Sequence, residues 1–282
     1  MTDLRDLAAG WHEGARPAIV VEVVAARGSV PRDAGTRMLV GTDEVLGTIG
    51  GGHLELKAIE HARALLAGLS EVTAQQFALG PALGQCCGGA VTLRHERLSA
   101  AALARWPRSD SLFTLQLHGA GHVGRAIVRL LADLPCHVLW IDERAEPFPT
   151  HRLPPHIECI EADPAAAEVA LAPPGAHFLV LTHSHDLDLS ICEAILKRGD
   201  SGFFGLIGSA TKRARFLRRF EARGLAAEAI ARMHCPIGVP GIAGKSPELI
   251  AVAVVAQLLQ QPAAAQPVAT CSSAARSSTV TV

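Results

Sequence analysis

The residues of this chain best suited to chemistry gather in glycine-rich stretches. Cys86 and Cys87 stand side by side in Gly80-Pro-Ala-Leu-Gly-Gln-Cys-Cys-Gly-Gly89. Successive loop residues point in different directions, so two neighbouring thiols do not both enter a core easily, and at least one is expected to be accessible. An accessible thiol serves as a metal or sulfur ligand, a persulfide carrier or a redox group. A pair of inert small residues is the plainer alternative, against which Gly88 and Gly89 suggest close approach of the backbone to something. The segment Arg27-Gly-Ser-Val-Pro-Arg-Asp-Ala-Gly-Thr-Arg37 sets three arginines among two glycines and a proline. It reads either as an ordinary solvated loop or as a backbone fixed to present guanidinium groups to an anion. Gly50, Gly51 and Gly52 precede a helical pattern, where unpaired N–H groups and the helix dipole suit a phosphate or another oxyanion. Glu55, in the first turn, could instead satisfy those donors as a cap. The fourth such stretch is Gly119-Ala-Gly121-His-Val-Gly124, in the spacing G-x-G-x-x-G.

The apolar run at Leu112, Phe113, Leu115 and Leu117 reads as a strand feeding the Gly119 turn, with a helix beyond it. The next strand-like run, Cys136 to Ile141, ends at Asp142, a carboxylate placed for a ribose 2′-hydroxyl. Strand, turn, helix, strand and acid in this order predict a Rossmann unit. Further strands are predicted at 156–160, 177–182 and 202–207, giving a parallel sheet whose loops at the carboxyl ends face a ligand. His183, His185, Asp186 and Asp188 could gather round a metal, but Ser184 or Asp186 equally could cap the following helix. The helix after Gly208-Ser209 carries Lys212, Arg213, Arg215, Arg218 and Arg219. Its start is a second candidate anion site, and the rest of the stripe suits solvent or a partner. Gly244-Lys245-Ser246 is not a P-loop, because Val239 stands where the first glycine is needed.

The first half opens with a helix placing Leu4, Leu7, Ala8 and Trp11 on one face, then a buried strand from Ala18 to Ala26. A short strand pair near 38–40 and 45–49, a helix over 53–66, and strands near 72–78 and 90–94 complete it. The fold expected is therefore α/β: an N-terminal α/β domain (1–98), a linker (99–110), a Rossmann-like parallel-sheet domain (111–261) and a mobile tail (262–282) lacking any core-forming pattern. Twenty-six Lys and Arg against 27 Asp and Glu leave no basic footprint for nucleic acid. The acidic start, Met1-Thr-Asp-Leu-Arg-Asp, and the lack of a membrane-length apolar run predict a cytoplasmic protein. Seven cysteines without a C-x-x-C pair suggest neither a disulfide framework nor a zinc ribbon, and Cys136, Cys159 and Cys192 read as buried small residues.

With these motifs together the chain resembles the XdhC family of accessory proteins serving molybdenum-containing xanthine dehydrogenase. The likeness runs from Val21 to Gln257 and is carried by Arg27 to Gly35, Gly47-Thr-Ile-Gly-Gly-Gly-His-Leu-Glu55, Gln85 to Gly89, the Gly119 turn, Thr182 to Asp188, Gly205 to Ser209 and Cys235-Pro-Ile-Gly-Val-Pro-Gly-Ile. The resemblance implies a carrier and insertion factor rather than an enzyme. Such a carrier binds molybdenum cofactor (molybdopterin), shelters it while a cysteine desulfurase supplies the sulfido ligand, and hands it to xanthine dehydrogenase. On that view Cys87, then Cys86, lies near the metal or its sulfur. Arg32 and the Gly50, Gly51, Gly52 turn with Glu55 contact the anion, and Gly119, Gly121, Gly124 and Asp142 are available to a nucleotide. A homo-oligomer is expected. The competing reading is an NAD(P)-dependent oxidoreductase using the Rossmann turn, with a histidine such as His183 as proton donor; the absence of tyrosine excludes a Tyr-Lys pair.

Overall fold

The computed structural model describes residues 3–79, 88–107 and 111–261. The chain divides into two compact units, one up to Asp110 and one from Ser111 onward.

In the first unit, helix α1 (Leu4–Glu13) starts at Asp3, whose side chain accepts the Arg5 N–H. Strands β1 (Ala18–Arg27), β2 (Arg37–Gly41) and β3 (Val45–Gly47) lead to helix α2 (Gly52–Leu66), followed by β4 (Ala74–Ala78), β5 (Ala90–Arg97) and helix α3 (Ala100–Arg105). The five strands form one antiparallel sheet in the order β3-β2-β1-β5-β4. Because successive side chains alternate across a sheet, β1 serves two cores. Ile19, Val21 and Val23 meet Leu54, Ala58 and Ala62 of α2. Val20 packs with Ala8 and Trp11 of α1 and with Leu103 and Trp106 at α3. The α3 segment, inside the stretch read as a linker, thus contributes to this second core.

The second unit contains β6 (Thr114–His118), α4 (His122–Leu131), β7 (His137–Asp142), β8 (Ile157–Glu161), a 3-10 helix (Ala165–Leu171), β9 (His177–Val180), α5 (His185–Arg198), β10 (Phe203–Leu206), α6 (Ala210–Ala222), α7 (Ala227–Ala231) and α8 (Pro247–Leu259). Its sheet is wholly parallel, ordered β10-β9-β6-β7-β8. The chain leaves β6 toward β7 and β8, then returns to lay β9 on the other side of β6. This reversal opens a crevice at the strands' carboxyl ends, as α/β sheets with a switch point do. Leu115, Leu117, Val138 and Trp140 pack with Ile127 of α4 and Val254 and Leu258 of α8. Phe178, Val180, Phe204 and Leu206 pack with Ile191 and Ile195 of α5 and Phe216 and Phe220 of α6.

Two cysteine placements follow the sequence reading and one does not. Cys136 and Cys192 are buried, but Cys159 is exposed on β8, the edge strand of the sheet.

The three glycines of the β6–α4 turn do different jobs. A Cβ on Gly124 would run into the Gly119 carbonyl oxygen, and one on Gly119, where φ is +121°, into the Leu181 backbone. Neither obstacle is a flexible side chain. Gly121 has φ −77° and open space around the same position. Gly124→Ala is therefore expected to destabilise the second unit by about 1–3 kcal/mol, from the overpacking of helix against strand. Gly121→Ala is expected to leave its stability within about 0.5 kcal/mol. Urea denaturation of the two variants checks the contrast.

Candidate functional site

In the first unit three separate stretches converge at one end of the sheet. A Cβ on Gly50 would lie 2.5 Å from Cβ of Pro31 and 3.6 Å from Cγ of Arg32, so the arginine loop lies directly on the glycine turn. A Cβ on Gly28 would lie 3.1 Å from Cα of Gly89, and Gly89 itself is wedged against the carbonyls of Arg27 and Ser29. Only residues without side chains allow backbones to meet this closely. Cys86 and Cys87 lie outside the described residues. The two glycines that follow them are packed on the arginine loop.

Of the three arginines, Arg37 is engaged. It donates to Glu22 at 2.6 Å and lies over the Trp106 ring, 5.5 Å from its centroid. Arg27 and Arg32 are exposed and have no ion-pair partner among the described residues. At the neighbouring turn, Glu55 acts as an internal acceptor. Its Oε2 takes N–H groups from Ile49 at 3.0 Å and Gly51 at 3.1 Å, together with the Thr48 hydroxyl. The first turn of α2, at Gly52 and beyond, has no side-chain cap. An incoming anion would therefore meet Arg27, Arg32 and the uncapped start of α2, with Glu55 shaping the turn from behind.

In the second unit α4 also begins without a side-chain cap, at Gly121. The space beside that residue and the free N–H groups of the first turn are features that an anion could use. Asp142, at the end of β7, is engaged within the protein. It is 4% exposed, and its Oδ2 accepts the Ala120 N–H at 2.6 Å while Arg144 grips both oxygens at 2.8 Å. Burial alone would raise its pKa, but the hydrogen bonds from Arg144 and Ala120 outweigh it and hold the carboxyl at about 2. Asp142 thus ties the glycine turn to β7. At the end of β6, His118 is fully buried, and desolvation lowers its pKa to about 3.

The comparisons with known proteins agree with this architecture. Residues 115–258 match the model described as the XdhC Rossmann domain, and residues 11–75 match the model of the XdhC and CoxI family. The chain belongs to the XdhC family. It is 32% identical over 264 residues to an Escherichia coli K12 protein called YqeB, described as uncharacterized; the aligned region is 90% of this chain and 45% of that protein. The chain thus spans about half the length of that curated relative. A Bacillus halodurans crystal structure titled as a xanthine dehydrogenase superposes with a TM-score of 0.73 at 19% identity, covering 92% of this chain and 95% of that one. At this identity the likeness concerns the fold.

Within the XdhC architecture, the motifs Thr182 to Asp188 and Gly205 to Ser209 turn out to be structural partners. Asp188 is 1% exposed; its Oδ1 accepts the Thr182 N–H at 3.0 Å and hydroxyl at 2.7 Å, and its Oδ2 accepts Lys212 Nζ at 2.6 Å. Lys212 also donates to the Ile207 carbonyl at 2.9 Å. One buried ion pair therefore fixes the loops after β9 and β10. Ser184 caps α5, accepting the Leu187 N–H at 3.4 Å, and no group of three metal-binding side chains occurs among the described residues. Ser209 likewise accepts the Lys212 N–H at 3.2 Å, so the proposed anion site at α6 already has a cap. Sequence reasoning placed Asp188 with the loop polar groups and Lys212 in a basic stripe, and missed their union. The signal was present: Asp188 falls in register with Ile191, Cys192 and Ile195 on the buried face of α5. No helix among the described residues is long and apolar enough to cross a membrane.

Proposed function

We propose that this XdhC-family protein is an accessory factor for a molybdenum hydroxylase of the xanthine dehydrogenase type, binding molybdenum cofactor in its first unit and delivering it. The observation that carries this reading is the convergence of the arginine loop, the Gly50 turn and Gly88-Gly89 at one end of one sheet. The cargo bears a phosphate and a metal held by soft sulfur. Arg27 and Arg32, without ion-pair partners among the described residues, and the uncapped start of α2 suit the phosphate. A thiolate from Cys87, with Cys86 as the second choice, suits the metal or its sulfur. The name of the Bacillus halodurans neighbour supports the choice of recipient. Sheltering during sulfuration by a cysteine desulfurase, assembly as a homo-oligomer and a cytoplasmic location belong to the same proposal, as does a nucleotide phosphate held beside Gly121.

The test is retention of cargo. Protein purified from a molybdenum-competent host is expected to release a fluorescent pterin on oxidation and to activate cofactor-free xanthine dehydrogenase. Cys87→Ala is expected to lower both at least about tenfold, and Arg32→Ala to weaken retention by about tenfold, the size of one charge-assisted contact. Wild-type protein that carries no pterin and activates nothing overturns the proposal. The oxidoreductase alternative is weakened by Asp142, whose carboxylate is already held by Ala120 and Arg144. Nicotinamide absorbance changes in the same preparation would revive it.

A further inference from the structure

The first unit carries a second concave site, at the end of β5 away from Gly89. There β5 runs past the start of β4, and the segment entering β4 curves beside the overhang. Between them lies a groove of about 810 Å³, lined by Ile19, Leu65, Glu71, Thr73, His95 and Arg97 among others. That volume lies in the range of small-molecule sites. Its walls are fixed by hydrogen bonds: a His61 ring nitrogen meets the Val72 carbonyl at 2.8 Å, the His95 N–H donates to the Thr73 carbonyl at 2.7 Å, and Arg97 donates to the Leu65 carbonyl at 2.9 Å.

The polar groups of this groove are incompletely matched. His95 is 1% exposed, yet neither ring nitrogen reaches a hydrogen-bond partner. Buried polar atoms in this condition are uncommon and call for an explanation. Burial lowers its pKa to about 4, the adjacent His61 adding to the effect and the Ala58 carbonyl opposing it weakly from outside hydrogen-bond geometry. A neutral imidazole offers one donor and one acceptor. At the rim, Arg94 and Arg105 are paired with Glu22 and Glu96. Arg97 has no carboxylate partner and Glu71 no cationic partner among the described residues, although both line the same groove. The unmatched set is thus one cation, one anion and an uncharged donor–acceptor pair beside the apolar Ile19 and Leu65.

We propose that this groove binds a small zwitterion of the amino-acid type, its carboxylate on Arg97, its ammonium on Glu71 and its side chain toward His95. The site is independent of the cofactor proposal, because it lies at the other end of β5 and uses none of the residues assigned there.

Calorimetric titration of the intact protein with the individual proteinogenic amino acids tests this. At least one is expected to bind, with the His95 ring nitrogens, assigned through His95→Gln, shifting in 15N spectra as it does so. Arg97→Gln and Glu71→Gln, both on exposed side chains, are each expected to weaken binding about tenfold, the value of one charge-assisted hydrogen bond. A matched carboxylic acid lacking the amine, and a matched amine lacking the acid, are expected to bind more weakly than the parent. The proposal is overturned if no amino acid binds at millimolar concentration, if both charge-neutralised variants bind as the wild type does, or if a singly charged analogue binds equally well.

Discussion

Lys212→Met is expected to lower the unfolding free energy of the second unit by about 3–5 kcal/mol, the penalty for leaving a buried charge without its partner. The side chain removed is 10% exposed and the carboxylate left behind is 1% exposed, so water cannot replace the ammonium group. The loss is not simply that of one attractive contact. Asp188 would still hold Thr182, but its Oδ2 would face an apolar thioether chain. Adding Asp188→Asn to Lys212→Met removes the stranded charge while keeping an oxygen for Thr182, and is expected to recover at least half of the loss. Urea unfolding read by Trp140, in a background with Trp11 and Trp106 replaced by phenylalanine, reports on the second unit. A single variant within about 1 kcal/mol of its parent, the usual scale of a surface pair, would show that the pair is solvated in solution.

The second large effect is a response to acid. His118 has its folded-state pKa pushed down to about 3 by burial, against an unfolded value near 6.5. Between these values the unfolded chain binds a proton that the folded chain refuses, so stability is complete above pH 6.5 and falls as the pH drops toward 3. At pH 5 the expected loss relative to pH 7.5 is about 2 kcal/mol. The refusal has a structural cause. Gln116 donates its amide to the Glu168 carbonyl at 2.6 Å and turns its oxygen to His118 Nε2 at 3.3 Å, while Nδ1 has no partner. A second proton on that ring would be buried and unpaired. His118→Gln is expected to flatten this part of the pH profile, measured as the urea midpoint at the two pH values. Asp142, with its lowered pKa, contributes in the same direction only at still lower pH, between about 4 and 2. A His118→Gln variant with the same pH dependence as its parent would assign the effect elsewhere.

Much of the architecture was legible because it rests on local patterns. The β6–α4–β7 unit follows from an apolar run, three spaced glycines and a second run ending in Asp142, each a feature of neighbouring residues. The β-branched, apolar run of β1 likewise predicted a buried strand, although not that its two faces feed different cores. The sequence showed less of the pairing between distant residues. Glu22 and Arg37 are joined across β1 and β2, and Asp188 and Lys212 across two loops, with nothing in residue spacing to link either pair. The arginine loop illustrates both sides: its content allowed a solvated loop or anion binding equally, but only the fold shows that Arg37 is committed to Glu22 while Arg27 and Arg32 have no ion-pair partner among the described residues. Asp142 was recognised by its position at the end of β7, and its engagement by Arg144, two residues later, was overlooked. Cys159 sat in an apolar run and looked buried; what exposed it was the rank of β8 in the sheet, a property of topology rather than of the run itself.

The unequal roles of the three glycines in the β6–α4 turn bear on how related chains should be compared. The outer two are demanded by the architecture, so a lineage that ceased to hold any nucleotide would still retain them. Only the middle position is released from steric duty, so alanine or serine there among related chains would be a change the fold itself does not oppose.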